Sequence, residues 1–344
     1  MKKSTFILSL LMVISITTAF AQIVKSGYKI ANKIHLDGDG GYDYLTIDDV
    51  TSRLYISHGT IVQVLDVNKK KVVGTIPDTK GIHGIALATD INKGFTSNGR
   101  DTSVTVFDLK TLQVITKVKV TGNNPDAILY DPFSHRVFTF NGRSSNSTVI
   151  DANSNKVIGT IELPGKPEFS VTDGKGKVYV NIEDKSQVCL INPMTLKVEK
   201  TWSVSPGEEP SGLAIDIKNH RLFAVCGNKL MVVIDAENGK LVSKLDIGDR
   251  VDGVSYDPIL KRIYSSNGEG TMTVVQEENK DTFKVLENFI TQKGAKTITL
   301  NPKTHRIYLP VAEFEAAPAA TKENPRPRPP VKANTFTILE IEPM

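Results

Sequence analysis

The sequence is poor in the features that usually announce a chemistry. Its 344 residues hold two cysteines, Cys189 and Cys226, and one tryptophan. Two thiols cannot staple a chain of this length into a disulfide framework. They could pair in an oxidising compartment, but two buried free thiols are the expectation. Charge of one sign is lacking too, with 42 Lys and Arg against 38 Asp and Glu, so bulk charge draws in neither nucleic acid nor an anionic membrane. There is no Gly-x-Ser-x-Gly elbow, no His-Glu-x-x-His, no Cys-x-x-Cys, no Walker loop and no Gly-x-Gly-x-x-Gly between a strand and a helix. These absences count against enzymes with a local motif, and leave open a site assembled from distant residues. Missing as well is any 3.6-residue apolar period long enough for a helix.

Only one apolar run is long, and it stands at the start. Residues 1–21 open with Lys2 and Lys3, run through apolar Phe6 to Ile16 and end in Ala19-Phe20-Ala21, the small-x-small pattern of a signal-peptidase site. Ser9, Ser15, Thr17 and Thr18 interrupt the run, whereas a membrane span needs roughly 20 apolar residues in a row. The expectation is a cleaved signal peptide over 1–21 and a mature chain from Gln22, delivered to the periplasm or the medium. No cysteine near the cleavage site could carry a lipid, and no later segment is apolar enough to span a bilayer.

What the sequence has is a repeat. An acidic or polar residue, a short turn, a basic residue, an aliphatic and an aromatic recur as Asp48 to Arg53-Leu54-Tyr55, Asp131 to Arg136-Val137-Phe138 and Asp173 to Lys177-Val178-Tyr179. Further copies are Asp216 to Arg221-Leu222-Phe223, Asp257 to Arg262-Ile263-Tyr264 and Asn301 to Arg306-Ile307-Tyr308, and a degenerate one ends at Lys93-Gly94-Phe95. The seven aromatics lie 40, 43, 41, 44, 41 and 44 residues apart. A dozen residues beyond each comes an aliphatic pair closed by a turn-starting polar residue, as in Val64-Leu65-Asp66 and Val149-Ile150-Asp151, and then a strand such as Lys71-Val72-Val73-Gly74-Thr75-Ile76. Four short β-branched strands per repeat, arranged radially, make a propeller blade. The fold class is therefore all-β: a single seven-bladed β-propeller of four-stranded antiparallel blades over 22–344. Repeat two departs from the pattern at its basic residue and repeat six at its turn Asp, which makes those blades the least secure.

Units such as Val178-Tyr179-Val180-Asn181, followed by a valine-rich strand and a Lys-Val-x-x-Thr-Ile strand, resemble the YVTN-type β-propeller repeats of the YncE-like family over nearly the whole mature chain. The ends show how the ring closes. Residues 28–36 resemble the fourth strand of a repeat with no preceding three, and the last unit has three strands and no fourth. The N-terminal strand is expected to complete the C-terminal blade, so that the two end strands pair with each other.

The loops that open on one face predict a surface. Leading into the inner strands stand Asp43, His83, Asp126, Glu168, Ser211, Asp252 and Lys296, in blade order. The loops between second and third strands add His58, Asn98, Arg100, Asn141, Arg143, Glu183 and Glu269. Asn-Gly is ordinary hairpin chemistry, so Asn98, Asn141 and Asn267 also suit plain turns. Arg100 and Arg143 would aim planar donors from neighbouring blades near one axis. Three readings follow. The mouth holds an anionic small molecule, metal complex or partner segment; the carboxylates and arginines satisfy one another in a salt-bridged ring; or Asp43, Asp126, Glu168 and Asp252 bind a divalent cation. If the protein is an enzyme, His83, Asp126 and Glu168 are the candidate acid and base groups of a hydrolase, for instance on a lactone.

Some YncE-like propellers are reported to bind single-stranded DNA, so the resemblance implies that alternative. It wants a basic groove with stacking aromatics, whereas this mouth is acidic with Tyr44 and Phe169 its nearby rings, and a nucleic-acid partner is not expected. A monomer is. His135, His220 and His305 share a turn on the opposite face and read as solvated. Asp37-Gly38-Asp39-Gly40-Gly41 reads as a Gly-rich turn and not a calcium loop. Residues 312–333, with Pro325-Arg326-Pro327-Arg328-Pro329-Pro330, are too proline-rich to ladder and form an insertion leaving the mouth face, either a lid or docking arm or a disordered loop.

Overall fold

Each repeat becomes one antiparallel sheet. The computed structural model, which describes residues 27–344 apart from 39, 323, 324, 326 and 328, contains seven such sheets of four strands each. The leader expected over 1–21, Asp39 of the Gly-rich turn and part of the Pro/Arg stretch lie outside the described residues. No helix among the described residues is long and apolar enough to cross a membrane.

In blade 1 the strands run Tyr42–Asp48, Arg53–His58, Ile61–Asp66 and Lys71–Ile76 from the channel outward. Blades 2 to 6 repeat that order, on the inner strands Ile82–Ala88, Pro125–Asp131, Pro167–Thr172, Pro210–Asp216 and Val251–Asp257. Blade 7 takes Thr299–Asn301, Arg306–Val311 and Thr337–Pro343 from the end of the chain and its outer strand, Tyr28–His35, from the beginning. The two end strands pair antiparallel from Tyr28 with Pro343 to His35 with Thr337, so the ring closes as the repeat pattern requires.

The repeated aromatic explains why blades stay together. All seven are buried, and each sits in a separate cluster that it shares with the following blade. Tyr55 of blade 1, for example, meets Phe107 of blade 2 with ring centroids 5.9 Å apart. A blade alone leaves this face wet, and burying one large apolar side chain is worth roughly 1.5–3 kcal/mol, so stability accrues at the joints.

The polar half of the repeat builds the face opposite the mouth. The turn aspartates cap their own hairpins: Asp48 Oδ1 accepts from the amides of Val50 and Thr51, and Asp257 Oδ1 from those of Ile259 and Leu260. The basic residue that follows usually clasps the next blade. Arg53 donates to the Leu109 carbonyl at 2.7 Å, Arg221 to the Lys280 carbonyl at 2.8 Å, and Arg136 to the carbonyls of Pro193 and Met194. Lys93 fills the role in repeat two, donating to the carbonyls of Ala152 and Asn153 and to Asn155 Oδ1. Repeats two and six, the least regular in sequence, each still form a complete four-stranded sheet. One of the three turn histidines departs from the expectation: His305 Nδ1 lies 2.7 Å from Oδ2 of the fully buried Asp257, which makes it a joint between blades 6 and 7 and not a solvated turn residue.

Candidate functional site

In blades 1 to 6 the pairing of inner and second strands slips beside the residue that leads into the channel, between Tyr42 and Leu45, Ile82 and Ile85, Pro125 and Ile128, Pro167 and Ser170, Pro210 and Gly212, and Val251 and Gly253. A bulge re-aims the side chain it carries, and here it frees Asp43, His83, Asp126, Glu168, Ser211 and Asp252 from the ladder. Neighbouring blades then fix the freed backbone. Ser97 Oγ donates to the Asp126 carbonyl, Ser266 Oγ to the Lys296 carbonyl at 2.6 Å and Thr297 Oγ1 to the Asp43 carbonyl at 2.6 Å.

The mouth residues meet as the loop count predicts. His83 Nδ1 lies 2.7 Å from Asp43 Oδ2 and 3.5 Å from Asp126 Oδ1. Lys296 bonds Asp252 and lies 3.6 Å from Asp43 Oδ1. Lys166 bridges Glu168, at 2.5 Å, and Glu183. The carboxylates are thus satisfied by His83 and two lysines and not by Arg100 and Arg143. Lys296 and Lys166 hold three of the four carboxylates proposed for a cation. A narrower group, Asp43, His83 and Asp126, has ligand atoms within 4.8 Å of one another.

These contacts divide the titrations. Burial works against the charged His83 ring, but its hydrogen bond to Asp43 and the charges of Asp126 and Asp43 outweigh burial and raise its pKa. Burial likewise opposes ionisation of Asp43, and Lys296 and His83 overcome it, holding the carboxyl below its usual range. At Asp126 burial wins, with the nearby Asp43 and Asp252 charges, and the pKa is pushed up to about 6. Burial and the Asp126 charge push Glu168 up to about 8 in spite of Lys166.

Beneath the charges lies a plug. The residue after each mouth residue is Tyr44, Gly84, Ala127, Phe169, Gly212, Gly253 and Thr297 in blade order. Tyr44 and Phe169, from blades 1 and 4, reach across the axis to ring centroids 5.4 Å apart, in a layer whose other members are small. Used on each other, these rings form a floor and not the open stacking platform that a single strand of nucleic acid would need.

The arginines lie outside the charged ring. A surface pocket of about 380 Å³ between blades 2 and 3 is lined by Gly99, Arg100, Thr102, Asn123, Asn124 and Arg143. Both guanidiniums are exposed, and among the described residues neither has a carboxylate within 4.0 Å. His83 borders this pocket: a methyl group placed on Gly99 would stand 2.7 Å from His83 Nε2 and 3.0 Å from Asn124 Oδ1.

Other rim residues are placed differently from the expectation. His58 is enclosed, with Nδ1 2.9 Å from Gln63 Oε1 and its ring 4.4 Å from that of Phe336. Asn98 and Asn141 are fully buried braces: Asn98 Nδ2 donates to Ser103 and Thr105, and Asn141 Nδ2 to Asn146 and Thr148. Asn267 does the same with Thr271 and Thr273. These asparagines hold the hairpins that carry the rim and present no side chain to a ligand. Glu183 is engaged by Lys166, and Glu269 accepts from Thr271 Oγ1 at 2.9 Å.

Position in the repeat identifies the rim loops but does not distinguish the inward-pointing Asn98 and Asn141. The missed contributors are Lys166, Asn124 and Thr102, whose signal was proximity to blades 2, 3 and 4 in the predicted ring. The base of the 312–333 insertion is zipped by Glu315 N to the Pro330 carbonyl at 2.9 Å and Lys332 N to the Glu313 carbonyl at 2.8 Å, and Ala312 N donates to Tyr42 Oη beside the mouth.

No family model and no curated protein matches the chain. Among solved structures it is similar to a chain of the hydrazine synthase of Kuenenia stuttgartiensis, at 16% identity and a TM-score of 0.70, over 87% of this chain and 98% of that one. A chain of a mitotic checkpoint complex aligns at 11% identity and a TM-score of 0.71, over 99% of this chain and 98% of that one. At these identities the likeness shows the fold alone.

Proposed function

We propose that the chain is an exported propeller of the YVTN-repeat type that holds a small anionic molecule at the rim between blades 2 and 3, with His83 joining that pocket to the channel mouth. The pocket carries this reading, because its two guanidiniums, Arg100 and Arg143, are not neutralised by the carboxylates close by. Planar, bidentate donors suit a carboxylate or phosphate group. Asp43 raises the pKa of His83, whose Nε2 stands at the pocket's edge beside Gly99, and the Asn124 amide adds neutral donors. Thermal unfolding against inorganic phosphate, citrate and sugar acids tests it. An anion at a hundred times its Kd stabilises the native state by roughly 2.7 kcal/mol, and Arg100→Ala with Arg143→Ala is expected to abolish that shift. A parent protein that melts at one temperature in every anion overturns the proposal.

A second reading has its own observation. Asp126 and Glu168, pushed up to about 6 and about 8, are carboxyl groups that can carry a proton near neutral pH, and Asp126 lies 3.5 Å from the His83 imidazole, groups of the kind general acid–base chemistry uses. Lactone hydrolysis would assign proton transfer to Glu168 or His83 and oxyanion stabilisation to Arg100. Turnover of a lactone panel that disappears in both Glu168→Gln and His83→Gln would select it over simple binding.

A further inference from the structure

The channel mouth holds more carboxylates than its cations can serve. Asp43, Asp126, Glu168, Glu183 and Asp252 share two lysines and one imidazole, and share them unevenly. Lys296 lies against Asp252 and Asp43, Lys166 against Glu168 and Glu183, and His83 Nδ1 is hydrogen-bonded to Asp43. Asp126 is left over. Among the described residues no hydrogen bond reaches its carboxylate, and the one basic group within 4.0 Å is that same His83 Nδ1, 3.5 Å away. The Asp126 side chain is 18% exposed, which leaves it open to a ligand. Its pKa, pushed up to about 6 by burial, is that of a carboxylate short of a partner.

Across the His83 ring the imbalance is reversed, because Arg100 and Arg143 are exposed with no carboxylate within 4.0 Å among the described residues. The two regions adjoin. His83 turns Nε2 to the pocket at Gly99 and Nδ1 to Asp126, so one imidazole ring and a 3.5 Å gap separate the pocket's edge from the unserved carboxylate. Asn124 lines the pocket and Asp126 follows it two residues later, at most about 7 Å along the chain at roughly 3.3 Å per residue.

We propose that the ligand is a zwitterion, with a carboxylate or phosphate between Arg100 and Arg143 and a primary ammonium group on Asp126, an assignment that rests on the rim pocket being an anion site. The spacer passes over His83. An α-amino acid, with a single carbon between its charges, is too short for that span, so the class is a longer ω-amino acid or an aminoalkyl phosphate. A primary ammonium suits the inner end because its three N–H donors supply the hydrogen bonds that Asp126 lacks. A quaternary ammonium has no such donor and is held by open aromatic faces, whereas Tyr44 and Phe169 pack on each other.

Titration calorimetry at a pH above the Asp126 value of about 6 compares ligands that differ only at the inner end. Phosphoethanolamine is expected to bind about tenfold more tightly than propyl phosphate, in which a methyl group replaces the ammonium, the scale of one charge-assisted hydrogen bond. Phosphocholine is expected to bind more weakly than phosphoethanolamine. γ-Aminobutyrate against valerate repeats the comparison for a carboxylate, and the tighter pair identifies the anionic group. Asp126→Asn is expected to bring the members of each pair to equal affinity, and Arg100→Ala to weaken both alike, with melting temperatures reporting the folding of each variant. Equal affinities within both pairs in the parent protein, lost together in Arg100→Ala, would overturn the zwitterion and leave the anion pocket standing, a result that does not depend on Asp126→Asn folding. An ammonium advantage that survives in folded Asp126→Asn would overturn the assignment to Asp126. If no member of either pair binds, the anion pocket fails and the zwitterion with it.

Discussion

His83 Nδ1 sits between two carboxylates of its neighbouring blades, 2.7 Å from Asp43 and 3.5 Å from Asp126. One ring nitrogen therefore reports on three blades, and the other is left for the pocket at Gly99. Because the folded pKa is raised, the ring is charged below that value and neutral above it. Anion binding at the Arg100–Arg143 pocket is expected to be strongest on the acidic side and to fall as pH rises through the His83 pKa. His83→Gln should flatten that profile. The Kd for inorganic phosphate or citrate measured from pH 5 to 9 checks it, after allowance for the ligand's own ionisation.

Glu168 makes a separate pH claim. Its folded pKa of about 8 stands above its ordinary 4.5, so the native state binds a proton that the unfolded chain releases. Stability from this group is full below the ordinary value and is lost as pH rises towards about 8, since the slope follows the difference in bound protons. Glu168→Gln is expected to remove part of a decline in melting temperature between pH 4.5 and 8, and to leave the acidic limb unaltered. Equal slopes in parent and variant would show that Lys166 holds Glu168 ionised.

Most of the architecture was legible because the repeat writes it seven times. The aromatic has one structural duty that recurs at all seven joints, and the turn residue and the basic residue repeat theirs in most blades. Mouth residues were legible for a different reason, that strand order fixes which loops share a face. Orientation was not. Asn98, Asn141 and His58 are polar and precede turns like Arg100, yet they turn inward because Ser103, Thr105, Asn146 and Gln63 offer them partners on the adjoining strand. No single-chain pattern separates a rim asparagine from a brace. The bulges that free the acidic side chains were equally silent, being a property of pairing and not of composition.

The basic position of the repeat predicts unequal costs. Arg221 is buried, its side chain 6% exposed, and it bonds the Lys280 carbonyl, Asp235 and Asp281. Charge-assisted bonds of this kind are worth about 1.5–3 kcal/mol. Arg221→Ala is expected to cost about 3 kcal/mol. Lys177, the same repeat position one blade earlier, forms an exposed pair with Glu237 at 2.7 Å, and Lys177→Ala should cost less than about 1 kcal/mol. Denaturant midpoints at constant slope compare the two, and equal losses would mean that burial does not set the strength of the clasp.

The strand that closes the ring should matter more than its length suggests. Tyr28, Ile34 and Leu36 are buried against blades 6, 7 and 1, and Tyr28 shares a 2.6 Å hydroxyl hydrogen bond with Tyr264. At roughly 1.5–3 kcal/mol for each buried side chain, the segment contributes an amount comparable with the roughly 5–15 kcal/mol net stability of a whole domain. Removing residues 28–36 also exposes the outer edge of Thr337–Pro343, a strand free to pair with another chain. The truncated protein is expected to lose its cooperative transition and to associate, whereas Ile34→Ala, costing about 2–4 kcal/mol, should leave a folded ring with a lower midpoint. Circular dichroism melts with sizing chromatography distinguish these outcomes. A truncated chain that remains monomeric and melts within a few degrees of the parent would mean that the seven blades hold together through their aromatic joints alone, with the closing strand adding only cover.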